Sequence, residues 1–400
     1  MDSKCPVKFQ NVDFCAPATH ANPHEMYDYF LEHEPLYFDE KNGVWEVFRY
    51  DDIVTIERDT ETFISGEGVR PNIPGDPGMI YQDGEQHNKQ RALVSSAFTP
   101  RQMRKMEDRV RIIVKELVDD MLAKDEVDIV ADLAAALPMR LIADMLDIPE
   151  EKRDSVQLWI NQILMGGCGP DYVTDEVNDA FERFCEHHEE MYQDRLAAGC
   201  VGQDIITIWM NAEINGEKLD ESQLLFEHVL LNVGGAETTR SAISGGLERL
   251  SNDQRQYDAL YEDPSLIPNA VEEIIRWVCP FINMYRTATR DYELHGKVIK
   301  AGQQVGLTYP AANRDPRHFK DPHTFNIFRD FSNESKHLSF GLGPHFCLGA
   351  SLARMEIRLS LEEMTQRVKR IRIPEGKELE RISSSFARGI KKYPAILEPR

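Results

Sequence analysis

The chain has 400 residues, 42% of them hydrophobic, enough for a sizeable core and, by length alone, for roughly two or three domains. No apolar run approaches the ~18 to 20 residues of a membrane span, since the longest, Val130 to Met139, contains Asp132. With 68 acidic against 46 basic side chains and a formal charge of −22, the chain lacks the basic footprint of a nucleic-acid-binding protein, and the acidic excess serves solubility.

At the N-terminus, Met1 to Phe14 carries charges and Pro6 where a signal peptide needs an unbroken apolar region. Cysteines at 5, 15, 168, 185, 200, 279 and 347 are odd in number and scattered, which argues against a disulfide framework and for a reducing, cytoplasmic setting. A short helix is expected at Pro23 to His33. Pro35 to Phe38 and Val44 to Phe48 then flank Asn42-Gly43, a strong hairpin signal. Tyr50 to Arg58 returns to helical periodicity. From Ser65 to Gly78 periodicity vanishes among glycines and Pro71, Pro74 and Pro77, which predicts a loop, either a lid or a plain connector. Gln86 to Phe98 is the next predicted helix and sets His87 and Arg91 one turn apart on one face.

Further helices are expected at Gln102 to Ala123, Ile129 to Leu146, Glu150 to Leu164 and Asp175 to Ala198. Gly166 to Pro170 lacks a preceding strand and the phosphate-loop spacing, so it reads as a turn. Cys185, His187, His188 and Cys200 lack the compact paired spacing of a zinc site and read as a polar helix face. Asp220 to Leu250 reads as one long helix, opened by the capping-box pair Asp220 and Gln223 and apolar on nearly all sides. Inside it lies Gly234-Gly235-Ala236-Glu237-Thr238-Thr239, where each glycine costs ~1 kcal/mol against alanine and an acid faces burial. Such a segment needs a compensating role.

Pro268 opens the next helix and Pro280 closes it, with Glu273 and Arg276 three residues apart within it. Ile282 to Thr287 and Tyr292 to Thr308 read as short strands. Then comes Phe340-Gly-Leu-Gly-Pro-His-Phe-Cys-Leu-Gly349, followed by helical spacing of Leu348, Leu352, Met355 and Leu359. Cys347 thus lies at a helix entrance, where unpaired N–H groups and the helix dipole favour a thiolate. Glycines 341, 343 and 349 would admit something flat, and Phe340 and Phe346 would keep water from the sulfur. A lone intracellular cysteine is more often an inert core residue; here the fixed offsets of glycines, histidine and aromatics oppose that. Arg370 to Ile373 and Leu379 to Phe386 alternate weakly and predict a terminal hairpin.

The 340–349 stretch resembles the haem-ligand loop of the cytochrome P-450 family, F-x-x-G-x-H/R-x-C-x-G, matched by Phe340, Gly343, His345, Cys347 and Gly349. Other motifs follow in family order. His87 and Arg91 match the H/W-x-x-x-R pair that binds the haem propionates, and Arg286 and His345 match further propionate partners. Gly234 to Thr239 matches A/G-G-x-D/E-T-T/S, with Glu237 where aspartate is commoner. Glu273, Arg276 and Arg329 match a buried structural triad. The resemblance implies one mainly α, triangular-prism domain over residues 1–400, with β-rich parts near 35–50, 282–310 and 370–397.

It also implies a haem-thiolate monooxygenase that inserts one atom of O2 into a C–H bond. Haem b (iron protoporphyrin IX) would be ligated by Cys347 and lined by Phe340, Gly341, Gly349 and Gly235, with protons relayed through Glu237 and Thr238. Electrons would come from a ferredoxin fed by an NAD(P)H-dependent ferredoxin reductase, the enzyme acting as a monomer. Arg101, Arg104, Lys105, Arg109, Arg111, Arg354 and Arg358 are candidates for the docking face, and ordinary solvated helix faces are an equally good reading of them. The pocket segments Ser65 to Tyr81, Trp159 to Gly169, Val229 to Val233, Phe281 to Met284 and Ser384 to Phe386 favour a hydrophobic small molecule. Phe281 to Arg286 with Ser385-Phe386 resembles steroid and branched-lipid hydroxylases of the family, pointing to a steroid or terpenoid. Two rivals remain open, a peroxide-using or isomerising haem-thiolate enzyme and a haem-based sensor.

Overall fold

The computed structural model describes residues 9–400; Cys5, Pro6 and the rest of the first eight residues lie outside that range. Helix α1 (His24–His33) leads into strands β1 (Leu36–Asp39) and β2 (Val44–Val47), paired antiparallel with Leu36 opposite Val47. Gly43 takes φ +68°, the left-handed conformation that the tight Asn-Gly connection requires. Helix α2 (Tyr50–Arg58) and the two-residue strand β3 (Phe63–Ile64) follow, then α3 (Gly84–Ser95), which carries the His87/Arg91 pair.

Next come α4 (Pro100–Leu122), β4 (Val127–Asp128) and α5 (Ala136–Leu146). The single helix expected over 129–146 is therefore broken. A π-helical turn occupies Val130–Ala134, closed by the Ala135 N–H bonding Val130 O at 2.8 Å. Asp132 supplies the reason: its carboxylate accepts from the Asp128 N–H at 2.8 Å and from Lys124 at 2.9 Å, holding the turn to the preceding strand. Helices α6 (Glu150–Gly166) and α7 (Asp175–Ala197) pack on each other. Helix α8 (Ile205–Asn211), too short to show a period, is capped by Asp204. Its absence from the sequence reading follows from that length.

The central helix α9 (Glu221–Ser251) has the predicted capping box and packs against α5 and α6. After it come α10 (Gln254–Glu262), also unanticipated although Asp253 caps it, and α11 (Ile267–Val278), opened by Pro268. Strands β5 (Asn283–Ala288), β6 (Tyr292–Leu294), β7 (Lys297–Ile299) and β8 (Gln304–Thr308) lead to the one-turn helix α12 (Tyr309–Ala312). The main sheet has the order β1-β2-β8-β5-β3, with β2 and β8 parallel and every other neighbour antiparallel.

The loop to Gly349 leads into α13 (Ala350–Arg367), which packs on α4, α9 and α11 and is followed by β9 (Val368–Arg372), β10 (Glu380–Arg381), β11 (Ile390–Lys392) and β12 (Pro394–Pro399). The expected hairpin between 370–373 and 379–386 does not form. Strand β9 pairs with β12, and β10 pairs with β11 across the 383–389 turn. Strand β9 covers most of the first expected strand, while of the second only Glu380–Arg381 is strand, and pairing between distant segments carries no local signal.

The Glu273 carboxylate receives Arg276 Nε and Nη2 at 2.7 and 2.8 Å and Arg329 Nε at 3.0 Å, all three side chains being buried. Arg276 also donates to Asn313 O and Pro322 O, and Arg329 to Lys320 O. This network ties α11 to the irregular 313–329 segment that precedes the cysteine loop. Because removing one partner leaves buried charge uncompensated, Glu273→Gln is expected to destabilise the protein by about 3–5 kcal/mol in chemical denaturation; a loss under about 1 kcal/mol would mean the network is not holding that segment.

Candidate functional site

The 340–349 loop folds back on itself, the Cys347 N–H donating to Phe340 O at 2.9 Å, with a 3-10 turn at Gly343–His345 between them. Gly341 and Gly343 take φ +64° and +66°. A Cβ on either would lie 3.0 Å from Glu57, on its carboxylate or its carbonyl oxygen. These two glycines thus admit the end of α2. Gly349 differs: the only atom within 4.0 Å of a Cβ there is Cys347 Sγ, which leaves open space beside the sulfur.

Backbone N–H groups of Gly349 and Ala350 point at Cys347 and, with Arg91 and Arg354, pull its thiol pKa down, but burial outweighs them and the net shift is upward. The helix entrance read from the sequence is present, and burial opposes the thiolate it was expected to favour. A half-buried sulfur with N–H donors behind it is favoured as a thiolate when a cation sits before it, which is the chemistry of a metal ligand. Phe340 lies beneath the Arg354 guanidinium at 4.6 Å. Phe346 is exposed, so of the two aromatics expected to keep water out, it does not.

Around this loop gather His87, Arg91, Arg286 and His345. The His87 and His345 rings lie 4.2 Å apart, and Arg91 Nη2 donates to Phe346 O. His345 is driven down to about 2 by burial, with Arg286, His87 and Arg91 adding to it. His87 is lowered by burial and by Arg91, and its buried Nε2 has no hydrogen-bond partner among the described residues. No ion pair to Arg91 or Arg286 occurs among the described residues; Arg286 Nη1 donates only to Tyr285 O. Two arginines without an ion pair among the described residues, beside two imidazoles, fit a ligand that brings its own carboxylates, the buried Glu57 carboxyl that feels Arg286 being bonded to Tyr309 OH. The two propionates of a haem match that deficit, and the open space beside Cys347 matches its iron.

On α9, Thr238 Oγ1 donates back to Gly234 O at 2.7 Å, and Glu237, nearly fully buried, pairs with Arg240 Nη1 at 2.5 Å. Burial raises the Glu237 pKa against the opposing pull of Arg240. Both groups are engaged within their own helix. Gly235, expected against the cofactor, presents its α-carbon to Ile142 of α5, where a Cβ would meet Cδ1 at 2.8 Å; Gly234 is the residue whose Cβ would meet nothing within 4 Å. The two glycines thus face different surroundings, since neighbours on a helix point about 100° apart.

The five pocket segments come together. Leu164, Cys168, Phe386 and Ala387 form one apolar cluster with Val233, Phe281 and Met284 against it, and Phe281 stacks on Phe386 at 4.7 Å. The 65–78 stretch joins through Arg70, which donates to Gly167 O and Asn283 O, each at 2.7 Å. Sequence reading passed over Arg70; its only signal was a lone cation in a Gly/Pro-rich loop. That loop is also fastened at its ends, by Asp83 accepting from the Ser65 and Gly66 N–H groups and by Glu227 accepting from the Met79 N–H at 2.6 Å. His187 and His188 belong to a buried imidazole cluster with His228, whose Nδ1 lies 3.0 Å from that of His188.

Much of the candidate docking charge is neutralised. Arg109 pairs with Asp144, Arg111 with Glu107 and Glu362, Arg358 with the same two acids, and Arg354 with Glu272. Arg101 and Arg104 are exposed, with no ion pair among the described residues.

A family model described as Cytochrome P450 matches residues 155–397. A steroid C26-monooxygenase of Mycolicibacterium smegmatis is 34% identical, the match covering 94% of this chain and 92% of that protein. A methyl-branched lipid omega-hydroxylase of Mycobacterium tuberculosis is 36% identical over 88% of this chain and 84% of its own. Among solved structures, CYP109E1 from Bacillus megaterium in complex with testosterone has a TM-score of 0.83 at 30% identity, covering 94% of this chain and 99% of that one. CYP109Q5 from Chondromyces apiculatus has a TM-score of 0.86 at 29% identity, covering 97% and 98%.

The two glycines of α9 give a direct test of which one faces open space. Gly234→Ala is expected to stabilise the cofactor-free chain by ~1 kcal/mol through helix propensity alone. In Gly235→Ala the same gain is opposed by overpacking against Ile142, so its denaturation midpoint should fall below that of Gly234→Ala. The reverse order would contradict the assignment.

Proposed function

The chain belongs to the cytochrome P450 family and is a haem-thiolate monooxygenase, and on that premise we propose that Cys347 is its axial ligand, that the bound haem is haem b, and that residues 1–400 form one haem-binding domain. The observation that carries the site assignment is the convergence of Arg91 and Arg286, neither in an ion pair among the described residues, with the imidazoles of His87 and His345 beside the cysteine loop. Those four side chains would hold the propionates, and Cys347 Sγ the iron. When bound, the haem supplies the redox chemistry by which one atom of O2 enters a C–H bond.

The chain's own part is proton handling and orientation. Thr238 holds its hydroxyl proton toward Gly234 O, leaving its oxygen lone pairs free to accept another hydrogen bond. Arg240 holds Glu237 through Nη1 and, at 3.5 Å, Ile390 O through Nη2, so breaking the first bond frees the Glu237 carboxylate while the second can persist. Burial raises the Glu237 pKa, which suits it to carry a proton toward Thr238 Oγ1. The apolar cluster of Leu164, Val233, Phe281, Met284 and Phe386 excludes water from a hydrophobic substrate. A steroid, terpenoid or branched lipid is the substrate class favoured by those residues and by the activities named for the relatives.

Electrons come from a ferredoxin and its NAD(P)H-dependent reductase, docking near Arg101 and Arg104, where cations remain unpaired by acids. The protein is read as a cytoplasmic monomer; among the described residues no helix is long and apolar enough to cross a membrane.

Reconstitution with a ferredoxin, its reductase and NAD(P)H under isotope-labelled O2 tests this reading. One labelled oxygen atom should appear in the hydroxylated product, and unlabelled product would contradict it. Thr238→Ala should lower product formed per NAD(P)H consumed by about tenfold or more, the scale of a lost proton donor. Coupling equal to the parent's would remove Thr238 from the relay.

A further inference from the structure

Arg70 is only 5% exposed and lies where four pocket segments meet. Three parts of its guanidinium are held. Nε donates to Gly167 O at 2.7 Å, Nη1 donates to Asn283 O at 2.7 Å and Asn283 Oδ1 at 3.0 Å, and the planar face lies 3.8 Å from the centre of the Phe386 ring. All of these partners are neutral. The remaining nitrogen, Nη2, makes no hydrogen bond to the described residues, yet it is not among the fully enclosed unpartnered atoms, so it opens onto space.

Among the described residues no acid pairs with it as a counter-ion. Glu46, the carboxyl that feels Arg70 electrostatically, is taken by Tyr285 OH and by Thr308 Oγ1 at 3.0 Å, and burial pushes it up to about 7. A loop could be pinned to two carbonyl oxygens by a neutral donor. Burying a full charge there costs desolvation that the aromatic contact offsets only in part. The fold therefore holds a fixed cation, rigidly oriented and short of an anion, against the apolar cluster expected to receive the substrate.

We propose that Arg70 anchors a carboxylate on the substrate, and hence that the substrate is an aliphatic or sterol-type carboxylic acid. Its apolar body lies against Leu164, Val233, Phe281 and Met284, and its carboxylate accepts from Nη2 of Arg70. A single unpaired cation suits a monoanion; a phosphate ester would leave charge unmet. The inference rests on the monooxygenase reading, whose pocket it specifies.

The test uses the haem-loaded protein and a series of long-chain and sterol-type carboxylic acids with their methyl esters, followed by calorimetry and by the ferric spin state. At least one acid should bind about tenfold or more tightly than its ester, the scale of one charge-assisted hydrogen bond. Arg70→Gln should erase that acid-to-ester difference, whatever it does to the affinity for the ester, and Arg70→Lys should keep part of it. Esters bound as tightly as acids by the parent, binding of neither, or an acid preference surviving in Arg70→Gln would each overturn the proposal. Should Arg70→Gln fail to fold, the parent's acid-to-ester ratio and Arg70→Lys decide it. Calorimetric binding is read independently of the haem spectrum, so failure of the thiolate assignment and failure of the Arg70 assignment are separately visible.

Discussion

Desolvation without compensation is the constraint around which this molecule is arranged. Burial pushes the Cys347 thiol pKa up despite two N–H donors and two arginines, and near it Arg91 and Arg286, without ion pairs among the described residues, crowd against the His87 and His345 imidazoles. A folded chain holds such an arrangement at a cost, and the cost falls when a cation meets the sulfur and carboxylates meet the donors. Haem carries both charges in one rigid plane. The electrostatic deficits of the site thus describe their ligand.

Some of the buried charge is closed within the fold. Glu273 is saturated by Arg276 and Arg329, and these in turn cap the carbonyl groups of the 313–329 segment leading toward the cysteine loop. The arginines of α13, Arg354 and Arg358, are likewise matched by Glu272, Glu107 and Glu362. Arg70 is bonded to neutral partners only, as are Arg314 and Arg388, but it is the one of the three that reaches three of the pocket segments.

Local signals carried the sequence reading far. The Asn42-Gly43 hairpin, the Asp220/Gln223 box opening the 31-residue α9, the Pro268 helix start and the spacing of Glu273, Arg276 and Cys347 each depend on neighbours within a few residues, and each appears in the fold. What the sequence left hidden is non-local. Strand β9 chose β12 over its nearer neighbour, Gly341 serves the packing of Glu57, and Gly234 rather than Gly235 faces open space because Ile142 of α5 fills the other side. The net direction of the Cys347 pKa also depends on how much of the fold covers it, which no motif reports. The same holds for Arg70, whose partners lie 97 and 213 positions away.

The central claim, a sulfur ligand supplied by Cys347, is tested most directly by the absorption spectrum of the reduced protein under carbon monoxide. A thiolate ligand predicts a Soret band shifted well to the red, lost when Cys347→Ser is examined in the same way. An ordinary imidazole-type Soret position in the parent would contradict the account.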